Sequence, residues 1–380
     1  MNNTEQIKVL EDLISIKSVN GNEKAVADYL SELLTRYGIE STYLTYDKNR
    51  DNLIAEYGNL KSDKVLAFSG HMDVVDPGDI KEWETNPFKP VNRDGKIYGR
   101  GACDMKSGLA AMVIAMIELK EENIPLNGRI RLLATVGEEI GELGSEQLTK
   151  EDYVDDVTSM IIGEPTGYEI IYTHKGSINF EVASKGKSSH SSMPQLGVNA
   201  IDHLIQFYNR ANEKFHSKVY TNDVLGDFIY NVTLISGGEQ INSIPSSATL
   251  QGNIRTIPEY DNDIVISQMN EIIDDLNKEA TSKLTLSISN NKISVESRKD
   301  SDIALIAKAV AEEKIEEEVS FNGISATTDA AEFIKADKEF PIIIFGPGND
   351  TPHQVNEYVD IQNYLDMIDI YKSIARKYLV

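Results

Sequence analysis

Strand-like runs alternating with helical ones, a central block of different character, and the return of the first pattern afterwards predict an α/β protein with a second unit inserted into it. Apolar residues recur at helical spacing over 4–17 (Ile7, Leu10, Leu13, Ile14) and 22–37 (Ala25, Tyr29, Leu30, Leu33, Leu34), with Gly38 ending the second helix. Strands are expected at 41–46, 52–57 and 65–69, a helix at 105–121, a strand at 129–136, a helix at 142–149 and a strand at 159–162. That alternation implies a mainly parallel, covered sheet. Around Thr173 the character changes. SINFEVASKG is followed by a helix at 198–215, strands at 228–235 and 248–256, a helix at 261–279 and a strand at 283–289. The order βαββαβ is that of a small ferredoxin-like unit. From Ser301 the opening pattern resumes, with helices at 301–313, 328–335 and 360–378 and an apolar strand at 340–345. The expected division is 1–174, 175–292 and 293–380, the outer two segments forming one domain.

Composition narrows the function classes. With 41% hydrophobic residues in 380, the chain can bury a large core. Its formal charge of −24 argues against a nucleic-acid partner and against attraction to anionic lipid. One cysteine, Cys103, excludes an internal disulfide framework and fits a reducing cytoplasm. Cys103 itself reads as a small buried filler. The N-terminus turns from polar to amphipathic without the pattern of a signal peptide, and the apolar stretch 109–119 is too short to span a bilayer.

Five short segments place His, Asp or Glu at the end of an apolar run, where strands present ligands to a cleft: FSGHMDVV (68–75), YGRGACDMKSG (98–108), ATVGEEIGE (134–142), IIGEP (161–165) and GPGNDTPHQVNE (346–357). Singly, each has a plain structural explanation, such as a solvated acidic turn or a carboxylate at a helix start. Jointly, His71, Asp104, Glu139, Glu164 and His353 form a nitrogen/oxygen donor set without thiolate, suited to Zn²⁺, Mn²⁺ or Co²⁺. Five ligands exceed what one tetrahedral zinc takes; they fit two metals sharing a carboxylate, roughly 3.5–4 Å apart. Glu138 is then left over beside the ligands, as a general base must be. Asp73, two residues after His71 on an extended segment, can orient its ring.

Taken together, these segments resemble the co-catalytic metallo-aminoacylase and metallopeptidase family that contains succinyl-diaminopimelate desuccinylase, acetylornithine deacetylase and several dipeptidases. The likeness covers essentially the whole chain, with the motifs in the family's order. It implies a zinc-peptidase-like catalytic domain carrying two divalent metals, zinc with cobalt or manganese possible. His71, Asp104 and Glu164 would hold one and Asp104, Glu139 and His353 the other. Asp104 would be the bridge, Glu138 the base acting on a metal-bridging water, and Asp73 the partner of His71; a cis peptide is expected at Asp104–Met105. The inserted unit would be a lid and dimerisation domain of a homodimer. His190, in KSSHSSMP, would reach the scissile carbonyl oxygen from the partner subunit. Asn242 and Arg255 would hold the substrate's carboxylate, with Thr327 a further pocket residue.

The implied substrate is a small anionic N-acyl amino acid. The stretch from SGHMDVV to GRGACDMKSG looks most like the desuccinylase branch, although Lys175 stands where an arginine is expected and GEEIGELGS departs from that branch's usual form. N-succinyl-LL-diaminopimelate is the first choice, and an N-acetylornithine-type deacetylase or a dipeptidase the second. A metal-binding protein without turnover is the alternative from another class; an unliganded Glu138 beside the ligands speaks against it.

Overall fold

The computed structural model describes residues 1–279 and 283–380. They form two compact units, one of Met1–Tyr172, Ser297–Asn322 and Thr328–Val380, the other of Thr173–Glu296 with Gly323–Thr327.

In the first unit a mixed sheet runs, in spatial order, through strands Ser41–Asp47, Arg50–Gly58, Arg129–Thr135, Val65–His71, Ser159–Ile162, Ile342–Ile344 and the first three residues of Ile170–His174. The sheet is less parallel than the sequence predicts. Only the four central strands, from Arg129–Thr135 to Ile342–Ile344, pair in parallel. Strands Ser41–Asp47 and Arg50–Gly58 are joined by a turn too short for a crossover, with Asn49 at φ 62°, and are antiparallel. The central strands read as unbroken apolar runs because helices cover both faces. Helix Lys106–Glu121 is buried at every position from Lys106 to Leu119 and packs on helices Ile361–Leu379 and Asn3–Ser15. Asn2 and Glu5 form a capping box that starts the last of these.

A small antiparallel sheet of strands Val91–Arg93, Lys96–Tyr98 and Tyr358–Asp360 is not predicted by the sequence pattern. Three-residue strands carry too little periodicity to be recognised. Tyr358 pairs with Tyr98, so the chain after His353 lies beside the chain before Asp104.

The second unit has strand order Ile229–Gly237, Ser247–Arg255, Ser177–Lys185, Lys283–Lys292, antiparallel throughout. Helices Ala200–His216 and Asn262–Glu279 complete the βαββαβ order. Its core, including Phe180, Val182, Phe207, Leu250 and Met269, is separate from that of the first unit. Among the described residues no helix is long and apolar enough to cross a membrane.

Candidate metal centre

Parallel strands end on one side of their sheet, and that edge carries the candidate residues. His71 is the last residue of Val65–His71 and sits in register with Thr135, three residues before Glu138. Strand Ser159–Ile162 leads to Glu164, and Ile342–Ile344, in register with it, leads into the loop bearing His353. Gly108 and Gly163 make the approach possible: a Cβ on Gly108 would lie 1.9 Å from the Gly163 carbonyl oxygen. Helix Lys106–Glu121 can therefore start against the end of that strand, bringing Asp104 towards Glu164. The Asp104–Met105 peptide is cis.

All five expected ligand residues meet. His71 Nε2 lies 3.0 Å from Asp104 Oδ1 and 3.8 Å from Glu164 Oε2. His353 Nε2 lies 2.9 Å from Glu139 Oε2 and 3.4 Å from Asp104 Oδ2. Asp104 thus turns one oxygen to each histidine. Donor atoms of His71, Asp104 and Glu139 all fall within 4.8 Å of one another, a spacing and chemistry that fit a divalent cation.

Charge in the cluster is unbalanced. Burial and the neighbouring Glu164 and Glu139 push the Glu138 carboxyl well above its ordinary range, with His71 pulling the other way. Glu164 is driven well above the same range by burial, with Asp104 and Asp329 adding to it, and Glu139 is raised chiefly by burial. Burial would lower His71, but Glu164, Asp104 and Asp73 hold it well above the usual histidine value. Hydrogen bonds to Asp104 and Glu139 raise His353 to about 10. Burial would raise Asp104, yet the two histidines keep it below the carboxylate range. A cluster that lifts the proton affinity of most of its members is one that attracts cations.

Asp73 acts through its main chain and its carboxylate. Its main-chain oxygen is 2.9 Å from His71 Nδ1, while its carboxylate, 3.5 Å from that nitrogen, accepts the N–H groups of Glu138 and Glu139 at 3.2 Å each. The carboxylate therefore fixes the acidic turn as well as facing the ring. Gly137, at φ 67°, makes this turn, and a side chain there would meet Arg50 Nη2 at 2.4 Å.

The remaining five predicted residues lie in the second unit: the segments of His190 and Asn242 are joined, Lys175 lies near Arg255, and Thr327 stands apart. His190 pairs with Ser243, and the Ser191 N–H donates to the Asn242 carbonyl. His190 Nδ1 lies 2.8 Å from Ser192 Oγ and accepts the Ser192 N–H at 3.2 Å, so both contacts fall on Nδ1 and Nε2 is left for other partners. Lys175 Nζ donates to the Asp227 carbonyl at 2.5 Å, and both burial and the nearby Arg255 lower its proton affinity. Arg255 is lowered by burial and ion-pairs with no carboxylate among the described residues. Thr327 is half-buried at the end of Gly323–Thr327.

Two buried acids are not singled out by the sequence pattern. Asp329 accepts the hydroxyls of Thr135 and Ser145 at 2.6 Å each and adds to the negative field on Glu138 and Glu164. Glu357, fully buried, accepts the N–H groups of Gly101, Cys103 and Asp104 and one N–H of Arg100. Its place in GPGNDTPHQVNE is the available signal. Cys103 is buried as expected, its thiol pushed up by burial.

Comparison with known proteins places this geometry. Residues 67–377 match the model of Peptidase family M20/M25/M40. The chain is 40% identical to the probable succinyl-diaminopimelate desuccinylase of Staphylococcus aureus (strain N315), covering 99% of this chain and 98% of the relative. Its fold is similar to that of aminopeptidase PepT from Bacillus cereus, with TM-score 0.82 at 21% identity over 100% and 99% of the two chains. It is also similar to Bacillus subtilis YXEP, described as a dinuclear metal binding peptidase of family M20, with TM-score 0.75 at 17% identity over 99% and 98%. These matches set aside the reading as a metal-binding protein without turnover. The chain belongs to peptidase family M20/M25/M40 and is an enzyme, a metal-dependent amidohydrolase.

Proposed function

We propose that the enzyme hydrolyses N-succinyl-LL-diaminopimelate to succinate and LL-diaminopimelate, as a cytoplasmic homodimer joined through the Thr173–Glu296 unit. The observation that carries the substrate is the full-length 40% identity to a protein bearing the desuccinylase name. The half-buried Arg255, which ion-pairs with no carboxylate among the described residues, supports it, because the substrate's carboxylates would supply that partner.

In this reading His71, Asp104 and Glu164 hold one divalent cation and Asp104, Glu139 and His353 a second, zinc first and cobalt or manganese next. Cations there would lower the pKa of a water and polarise the amide carbonyl. Glu138 accepts the proton lost by the attacking water on a carboxylate oxygen and returns it to the leaving amine nitrogen as the C–N bond breaks. A carboxylate that lies beside the five ligand residues without joining them suits a group that must both take and give a proton. Asp73 keeps that carboxylate in place through the backbone of its turn. His190 donates from Nε2 to the carbonyl oxygen as it gains charge. Asn242, Arg255, Lys175 and Thr327 bind the substrate's polar groups.

The test compares kcat/KM for N-succinyl-LL-diaminopimelate, N-acetylornithine and a small set of dipeptides with zinc, cobalt and manganese enzyme. The succinyl compound is expected to lead. Preference for acetylornithine or a dipeptide would move the substrate to another branch while leaving the hydrolase intact; Lys175, a point charge where a bidentate fork is expected, is the feature that would then explain it. Arg255→Ala is expected to raise KM for carboxylate substrates by about 2 kcal/mol, the worth of a charge-assisted pair. An uncharged amide analogue hydrolysed as well as the acid by the unmodified enzyme would contradict an anion pocket.

A further inference from the structure

We infer that Glu357, with Arg100, is a positioning pair that sets the affinity of the centre for the cation shared by Asp104, Glu139 and His353. The inference rests on the two-cation reading above and goes beyond it, since Glu357 is no ligand in that scheme.

Asp104 and His353 belong to loops about 250 residues apart in sequence, and their 3.4 Å approach must be held by something other than their own strands. The small sheet supplies the first tie by pairing Tyr358 with Tyr98. Glu357 supplies the second. Its Oε1 accepts Cys103 N–H at 2.8 Å and Asp104 N–H at 2.9 Å; its Oε2 accepts Gly101 N–H at 2.9 Å and Arg100 Nη1 at 2.6 Å. Its own carbonyl accepts Gly99 N–H at 2.9 Å. One carboxylate thereby closes the whole 100–104 turn onto the loop that carries His353.

Arg100 completes the link from the other side. It is 2% exposed, lies over the Trp83 ring, and directs Nη2 to the His353 carbonyl oxygen at 3.4 Å. His353 has φ 63°, a left-handed conformation uncommon for a residue other than glycine. A buried ion pair that served stability alone could end on any backbone; this one ends on the main chain of two ligand residues. The cation of Asp104, Glu139 and His353 has two ligands resting on the pair, whereas that of His71, Asp104 and Glu164 has one. Loss of the pair must therefore fall unequally on the two cations.

The experiment titrates cobalt into metal-free protein and follows the visible absorption of the bound ion together with elemental analysis, with far-UV circular dichroism to establish folding. No turnover is required. The unmodified enzyme is expected to take up two equivalents; uptake of one would remove the two-cation reading itself, whatever Glu357 does. In Glu357→Gln, an amide N–H is forced against backbone donors. The cation that His353→Ala also loses is expected to weaken about 10- to 100-fold, as when groups orienting metal ligands are removed, and the other by far less. Unchanged affinities, or equal weakening of both, would overturn the inference. Arg100→Lys, which keeps the buried charge but not the fork, provides the arm that remains if Glu357→Gln does not fold. It is expected to weaken the same cation selectively, and unaltered binding in it would equally overturn the inference.

Discussion

Glu138→Gln is expected to lower kcat by about 10²- to 10⁴-fold while fold and cation content stay as in the unmodified enzyme. The substitution keeps the shape of the side chain and removes only its capacity to hold a proton. Glu138 takes no part in the contacts that join His71, Asp104, Glu139, Glu164 and His353, so no ligand is lost with it. What places it is the Asp73 carboxylate on the backbone N–H of its turn, and glutamine leaves that hydrogen bond intact. The measurement is steady-state kinetics beside metal analysis. Equal falls in kcat and kcat/KM, with KM unmoved, are the signature of an interaction made in the transition state. Near-normal turnover would take the base role away from Glu138, and loss of a cation would show that it is a ligand instead.

His190→Ala is expected to cost about 10²- to 10³-fold in kcat, the usual effect of deleting an oxyanion donor. The side chain is exposed, and its Nδ1 is occupied by Ser192, which leaves Nε2 for other partners. If that donor is supplied by the second subunit of a homodimer, two inactive variants restore each other. A heterodimer of His190→Ala and Glu138→Gln contains one site with its own Glu138 and a partner's His190. An equal mixture after subunit exchange should then regain roughly a quarter of the unmodified activity, one intact site in each of half the dimers. Exchange without recovery would mean that His190 works within its own chain or has no part in the reaction.

How far these residues are legible in the sequence follows from how each is held. His71, Glu139 and Glu164 are visible only jointly: each follows an apolar strand closely and singly has a plain structural explanation, but together with Asp104 and His353 they make a nitrogen/oxygen donor set without thiolate. The βαββαβ order of the second unit is visible because its strands and helices are long enough to show their periods. The reversal of the outer strands is not, because a hairpin and a crossover leave the same apolar pattern and only the length of the connection separates them. Glu357 is hidden for a different reason. It is one of 61 acidic residues, and three of its partners are backbone N–H groups, which any sequence supplies. Asp329 is alike in this respect, satisfied by two hydroxyls nearly 200 residues away. Candidate ligands announce themselves by residue type and position, and so does Asp73 by its spacing from His71, whereas Glu357 and Asp329 show themselves only once the chain has folded.

One cluster of five side chains is proposed to hold two cations. Titration of metal-free enzyme with zinc, following bound metal and amide hydrolysis together, tests this most directly. Saturation is expected at two equivalents per chain with unequal affinities, His71→Ala weakening one cation and His353→Ala the other. Saturation at one equivalent, with both variants weakening that same cation, would contradict it.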